Sequence, residues 1–439
     1  MHPSHIIRGR TTQLLAGRRI LVGVSGSIAA VEVPKIVREL IRHGADVRAV
    51  MSPEATRIVT AEALEFATGH PTVTQLTGNV EHVTFLGPGE GRADLYLIAP
   101  ATANTIAKIA HGIDDTPVTS CASVALGGGV PLLIAPAMHA HMGLNPAVRE
   151  SLERLRGWGV GVISGASVEG EEKIASPEEV AAAVLHRVAQ GPWVGRRVVV
   201  IAGAAREPLD SVRSLTNESS GATGVALATQ AHYRGAEVEL WAGPMRVAVP
   251  TFLSTVAWQG VLELRELARK RATSLATAAA VFVPAALSDF TVERRPGKIP
   301  SSEHASLTVN LQRAPKILPE LRQLAPPPVR LVAFKLLAGA SEERLESAAR
   351  ELARETGANW VVANDAATMG APTTEALLLT GRGKPHWIRG SKPEFAGRLL
   401  DELGGSLDSG AAEKSDARFT GRSSGTHRRT RRSGPRRHR

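Results

Sequence analysis

The chain has 439 residues, a single cysteine, 4% aromatic residues and a formal net charge of +10. One cysteine, Cys121, excludes an intrachain disulfide and a cysteine-based metal site, and fits a reducing cytoplasm. The length predicts two or three domains; the sequence shows no signal peptide and no apolar run of about 18 residues that could cross a bilayer, so a cytoplasmic protein without membrane contact is expected.

Short apolar runs of strand length fall at 19–25, 46–51, 94–99 and 130–136, with helical patterns such as 29–43 and 102–112 between them. A helical stretch at 177–190 and the turn Gly191-Pro192 close this series. A second series of strands follows at 196–202, 236–241, 279–284, 330–334 and 359–363, with helices at 221–234 and 341–356 among its connections. Strands alternating with helices predict parallel sheets. The expected class is therefore α/β: two doubly wound parallel-sheet, Rossmann-like domains over 18–190 and 194–402, joined near 190–195. Residues 404–439 carry nine Arg and one Lys against two Asp and one Glu, which is +7 of the chain's charge. Such a segment, almost free of apolar residues, is expected to be a disordered basic tail. It could be merely solvated, or could contact nucleic acid or another polyanion.

In the first series, Gly26 and Ser27 follow the first strand and open a helix, a place that suits a phosphate; a turn of this kind also serves as a tight corner. The pattern is not G-x-G-x-x-G, and the second strand ends at Met51-Ser52 rather than at the acid that would hold a dinucleotide's ribose. A mononucleotide stays open. Polar segments follow the third strand, at Thr102 and Asn104, and the fourth, at Met138, His139, His141 and Met142. Ligands bind outside the carboxyl ends of strands in open α/β sheets, so these segments should converge. Met138 and Met142 also fit core filling at one helix face, and a lone histidine such as His82 also fits a structural role.

The densest polar segment is 203–224, GAAREPLDSVRSLTNESSGATG, directly after the apolar run 196–202. It carries Arg206, Glu207, Asp210, Arg213, Asn217, Ser219 and Ser220 ahead of a helix that starts at Gly221. Outward-pointing N–H groups at a helix N-terminus attract anions, and a strand-to-helix loop of this length is uncommon without a function.

These residues together resemble the bifunctional enzymes of coenzyme A synthesis, in which phosphopantothenoylcysteine decarboxylase is fused to phosphopantothenate–cysteine ligase. The resemblance spans about 18–400. Residues 201–224 closely follow the ligase pattern T-A-G-G-T-R-E-P-[IL]-D-P-V-R-x-[IL]-[ST]-N-x-S-S-G-x-x-G, with Ala204 and Ala205 departing from its Gly and Thr. Downstream, Asp289 stands in A-A-x-[AS]-D-[FY], Lys298 in G-K-I and Asn364 in A-N-D. In the first half, Ser25-Gly-Ser-Ile-Ala29 and Ala99-Pro-Ala-Thr-Ala-Asn104-Thr105, with Lys108 and Asp115, resemble the flavoprotein cysteine decarboxylases, and His82 aligns with their active-site histidine. Two positions depart from that pattern. His139 and Gly143 replace the Asn and the aromatic residue of P-x-M-N-x-x-M-[WY], the first as in the archaeal branch. The flap segment 164–176 lacks the family's cysteine, and Glu169 or Lys173 could replace it as the last proton donor.

The resemblance implies an N-terminal flavoprotein domain and a C-terminal ligase domain in a homo-oligomer. It implies FMN held by Gly26, Ser27, Ile28, Ser52, Ala101, Thr102, Asn104 and Asp115, and Mg²⁺ with CTP or ATP as co-substrate. His82 would be the acid or base of decarboxylation, with Met138 and His139 facing the substrate. In the ligase, Asn217 would hold the acyl-nucleotide and Lys298 promote its formation or turnover. Arg206, Ser219, Ser220, Gly221, Asp289, Phe334, Lys335 and Asn364 would bind substrate or nucleotide, with Lys316 a further cation for phosphoryl charge. The other readings are a ligase with a degenerate flavin domain, and a flavin-containing regulatory protein without catalysis.

Overall fold

A computed structural model describes residues 2–419 apart from 166, 169, 170, 173, 301–305, 369, 370, 372, 382 and 383, with the backbone alone described at 167, 168, 171, 172, 368 and 408–419. In chain order the strands of the first half are β1 (Arg19–Val24), β2 (Asp46–Met51), β3 (Leu95–Ala101), β4 (Leu132–Pro136), β5 (Met138–His139), β6 (Gly161–Val162), β7 (Ser167–Val168) and β8 (Glu171–Glu172). Those of the second half are β9 (Arg197–Ala202), β10 (Arg206–Pro208), β11 (Ser214–Thr216), β12 (Glu237–Ala242), β13 (Ser254–Ala257), β14 (Ala280–Val283), β15 (Phe290–Val292), β16 (Leu311–Arg313), β17 (Arg330–Leu337), β18 (Trp360–Asp365), β19 (Thr373–Thr380) and β20 (His386–Ser391).

The first sheet is parallel in the order β2-β1-β3-β4-β6. Its strands are continuous apolar runs because helices cover both faces. One core, with Val22, Leu97 and Val37, lies on one side; a second, with Leu21, Ile98 and Ile106, lies on the other. Cys121 sits in this second core, and burial pushes its thiol up to about 12. Strand order reverses direction between β1 and β3, which makes their carboxyl ends the topological switch point. β7 and β8 form a small hairpin that pairs with β5.

The second sheet has eight strands in the order β13-β12-β9-β14-β17-β18-β19-β20. Its first six are parallel, with the switch point between β9 and β14. β19 and β20 extend it as an antiparallel hairpin, an addition to the purely parallel sheet expected. The helix Ala222–Tyr233 lies close on β9 because Gly224 has no side chain: a Cβ there would stand 2.2 Å from Ala202 Cβ. The closing helix Lys392–Phe419 packs against Ala222–Tyr233, with Arg234 bonded to Asp401. It runs past residue 402, and Leu403 is buried. The rest of the basic tail, 420–439, lies outside the described residues.

Trp193, in the expected junction, belongs to the second core, and its indole N–H donates to the Leu400 carbonyl at 3.0 Å. The halves meet where helix Pro177–Val188 packs on Ala222–Tyr233, with the His186 and His232 rings stacked at 4.4 Å. No helix among the described residues is long and apolar enough to cross a membrane.

Candidate functional sites

The first site is assembled at the β1/β3 switch point. Ser25, buried at the end of β1, donates its hydroxyl to the Pro100 carbonyl at 2.7 Å and accepts from Thr102 N–H at 3.0 Å. This pair of bonds fixes the Gly26-Ser27 turn beside Thr102. Gly26 packs on the loop after β2, where a Cβ would come within 2.4 Å of Glu54 Cβ. Ser27, Ser52 and Thr102 each accept a local backbone N–H, and Thr102 thereby caps the helix Ala103–Ala110, which carries exposed Asn104. Ile28, 78% exposed, leaves an apolar side chain standing beside these hydroxyls. Neutral hydroxyls and an amide around a turn, next to an uncovered apolar side chain, fit a phosphorylated flat ring such as FMN. Asp115 stands apart from the turn, with its carboxylate 2.7 Å from Lys108, which holds it below the usual carboxylate range.

His82 lies on the helix Glu81–Leu86, and its Nδ1 is buried without a hydrogen-bond partner among the described residues. No bond joins it to the Gly26-Ser27 turn. Met138 and His139 form β5, against which the flap hairpin pairs through 171 and 172. His139 accepts from His141 N–H, and the two rings stack at 5.0 Å. The expected proton donors Glu169 and Lys173 lie outside the described residues.

The second site is a cavity of about 150 Å³ at the β9/β14 switch point. Ser219, Ser220 and Gly221 close one end, at the N-terminus of helix Ala222–Tyr233. Both serine hydroxyls accept backbone N–H groups of that first turn, at 3.3 and 3.4 Å. The β17 and β18 ends bring in Phe334, Lys335 and Asn364, and β14 ends in the wall residues Pro284, Ala285 and Ala286. Asn217 is tied to this wall, with its amide N–H 3.0 Å from the Ala286 carbonyl.

Lys298 is carried by an exposed turn outside the cavity lining, and a buried anion fixes that turn. Asp210 accepts from Val212 N–H, Arg213 N–H and Ile299 N–H, and its carboxylate lies 3.0 Å from Arg213 Nε. These backbone donors, with the Arg213 charge, lower its pKa to about 2. The 297–299 turn is thus anchored to the 209–213 loop. Buried Glu207 acts elsewhere, accepting from Val261 N–H at 2.9 Å and so capping the helix Val261–Lys270. Arg206 and Asp289 are exposed and do not line this cavity, and Asp289 pairs with Lys316 at 2.8 Å.

Among the lining residues not expected from sequence are Thr374, Lys392 and Phe395. Ser391 and Glu394 bond reciprocally around the start of the closing helix, N–H to carboxylate at 2.8 Å and N–H to hydroxyl at 3.4 Å. This S-x-x-E capping box was legible and places Lys392 and Phe395 on one face of the first turn.

Residues 8–189 match the family described as Flavoprotein, and residues 193–406 that described as DNA/pantothenate metabolism flavoprotein C-terminal domain. The chain is 42% identical over 405 residues to the coenzyme A biosynthesis bifunctional protein CoaBC of Thermococcus kodakarensis, covering 92% of this chain and 99% of that protein. Its identity to the protein of the same description from Methanocaldococcus jannaschii is 35% over 407 residues, covering 92% and 97%. A solved C-terminal domain of a CoaBC protein is similar to half of this chain, at 26% identity and a TM-score of 0.42, covering 50% of this chain and 100% of that one. A match along almost the whole of both proteins, with both domains in order, makes the chain a member of the CoaBC family of coenzyme A biosynthesis, with phosphopantothenate–cysteine ligase and phosphopantothenoylcysteine decarboxylase activities.

Proposed function

We propose that the cavity at the β9/β14 switch point binds a nucleoside triphosphate, CTP or ATP, with Mg²⁺, and that the residues around it activate 4′-phosphopantothenate for attack by cysteine. The observation that carries this reading is the convergence of Ser219–Gly221, Phe334, Lys335 and Asn364, from distant segments, on one pocket. A carboxylate is a poor electrophile. It attacks the α-phosphate, releases pyrophosphate and becomes an acyl-nucleotide, which the cysteine amine then opens. The helix N-terminus at Ser219–Gly221 faces the phosphates with aligned N–H dipoles. Lys335, with Lys298 from its anchored turn, offsets the charge that develops on phosphoryl oxygens. Asn217, oriented by the Ala286 carbonyl, hydrogen-bonds the acyl-nucleotide. Arg206 and Asp289 stand by as binding groups for the substrate's phosphate and the nucleotide. Among the described residues no cluster of three His, Cys, Asp or Glu could hold a metal. Mg²⁺ would therefore enter with the triphosphate, as such ions commonly do.

The first site would hold FMN through Gly26, Ser27, Ile28, Ser52, Ala101, Thr102 and Asn104, with Asp115 at its rim. Bound FMN would supply the electron acceptor that makes loss of CO₂ from the cysteine carboxylate easy, and would return the electrons afterwards. His82 moves the proton at the substrate thiol. Met138 and His139 line the substrate side beneath the flap hairpin. A homo-oligomer in the cytoplasm completes the reading, as the family resemblance implies.

Mass spectrometry of the products from 4′-phosphopantothenate, cysteine and Mg²⁺, with CTP and ATP in parallel and FMN supplied, tests both halves. Conversion to 4′-phosphopantetheine is expected. Accumulation of 4′-phosphopantothenoylcysteine would remove the decarboxylation step from the first half, and no product with either nucleotide would remove the ligase assignment of the cavity.

A further inference from the structure

A second cavity, of about 550 Å³, lies where the two halves of the chain meet. That size is within the range of small-molecule sites, which favour seams between domains. It shares no lining residue with the cavity at the β9/β14 switch point or with the Gly26-Ser27 turn. One wall is the open edge of the first sheet at β6, and the other is Phe252 with the end of helix Ala222–Tyr233 at His232. Between them runs one face of helix Pro177–Val188, which presents Glu179, Ala183, His186 and Arg187 at spacings of three and four residues.

Ala183 leaves space at the middle of this face, with a charge one helical turn away on either side. The Glu179 carboxylate is already engaged: it accepts from Ser176 N–H at 2.7 Å and from the Thr251 hydroxyl across the seam. Arg187 is not. One of its N–H groups goes to the Gly159 carbonyl at 3.1 Å, and no carboxylate pairs with it among the described residues. The two charges stand about 12 Å apart along the helix. That exceeds the Debye length at physiological salt, so Glu179 does little to repel an anion at Arg187. A run of rings also ends here. His43, Tyr233, Phe252, His232 and His186 follow one another at centroid separations of 5.5, 6.1, 4.9 and 4.4 Å. Each inner ring has a neighbour on either side, whereas half-buried His186 has one only among the described residues. Its Nδ1–H donates to the His232 carbonyl at 3.0 Å, which fixes the ring. Desolvation, which pushes His232 down to about 4, keeps that neighbour neutral.

We infer that the cavity at the seam binds a planar ring that carries a carboxylate or phosphate group. The ring extends the run past His186 and covers Ala183. The anionic group takes the remaining donors of Arg187 in a charge-assisted pair. Neither half forms the site alone, because Ala183 and Arg187 come from the first and His232 and Phe252 from the second. A molecule held there grips both halves and so steadies the contact between them. Nothing in this site depends on what the other two bind.

The test is calorimetric titration of the full-length protein, loaded with FMN and freed of the excess, with 2-naphthoate, 1-naphthyl phosphate and the uncharged 2-naphthamide. At least one anion is expected to bind with a Kd below about 1 mM, and the tighter of the two names the group that Arg187 prefers. The amide should bind at least about tenfold more weakly, the worth of a charged hydrogen bond. R187M should bring the anions down to the level of the amide and leave the amide unchanged. A183F, which fills the space, should abolish binding of all three. Arg187 is exposed, so R187M should melt as the parent does, and the tighter anion should raise the melting temperature of the parent more than that of R187M. If A183F does not fold, R187M decides alone. No anion binding to the parent below about 1 mM, equal anion affinities in parent and R187M, an equal loss of anion and amide in R187M, or binding that survives in a folded A183F overturns the inference.

Discussion

Asp210 shows how a residue outside the cavity can govern it. It touches no lining residue, yet its carboxylate gathers the N–H groups of Val212, Arg213 and Ile299 and so ties the Lys298 turn to the long loop. Replacement by Ala loosens that turn, which keeps the bonds of Ser211 N–H to Gly297 and of Arg295 N–H to Leu209. Displacing a reacting group by about 1 Å can cost about a hundredfold in rate, so ligase kcat in D210A should fall by that order while CTP binding at the Ser219 end changes little. An unchanged kcat would show that Lys298 does not depend on the anchor. The same group has a pH signature. Its pKa is lowered from 3.8 to about 2, so the stability it contributes is complete above the higher value and is lost as pH falls toward the lower. In sequence this residue was visible as part of a motif, but its partners were not, since Ile299 lies 89 residues away.

At the scale of elements, the two halves meet helix to helix through His186 and His232. His232 is clasped on its other face by Phe252 at 4.9 Å. Desolvation there, followed by the His186 charge, lowers its pKa from 6.5 to about 4. The folded protein therefore resists a proton that the unfolded chain accepts. Stability is unaffected above about 6.5 and declines as pH falls toward 4, by at most about 3 kcal/mol. Melting curves at about pH 7.5 and about pH 5 should show a larger drop for the parent than for H232L, which has no proton to take up. Parallel drops would mean that this contact does not set the acid response. The strands that frame both sites were legible because helices bury both faces of each parallel sheet, so β1, β3, β9 and β14 read as unbroken apolar runs. The short edge strands β13 and β20 were not, because edge strands mix polar and apolar residues, and β19, whose apolar run Ala376–Leu379 is buried, takes its place only by antiparallel pairing with β18 and β20. Thr374 and Lys392 went unread for the same reason: each acquires meaning only when the hairpin and the closing helix fold back on the cavity.

For the molecule as a whole, both candidate sites lie at the carboxyl ends flanking a switch point, where Rossmann-like sheets bind ligands, and the fold class followed from the order of strands and helices. The packing of the junction did not. Trp193 falls within the stretch that reads as a connector, yet it is 2% exposed, bonds to Leu400 and lies against Gly404, where a Cβ would come within 3.0 Å of its indole nitrogen. What resembles a tether is a clasp that fastens the beginning of the second domain to its end. A ligase fragment cut to start at residue 195 gives up that indole and should lose about 3–5 kcal/mol, the usual cost of truncating a buried aromatic, against a fragment that starts at 191. Equal melting temperatures for the two would deny the clasp. If it holds, the ligase domain is a loop closed on itself, and only a cut made ahead of the indole hands it over with both ends still fastened.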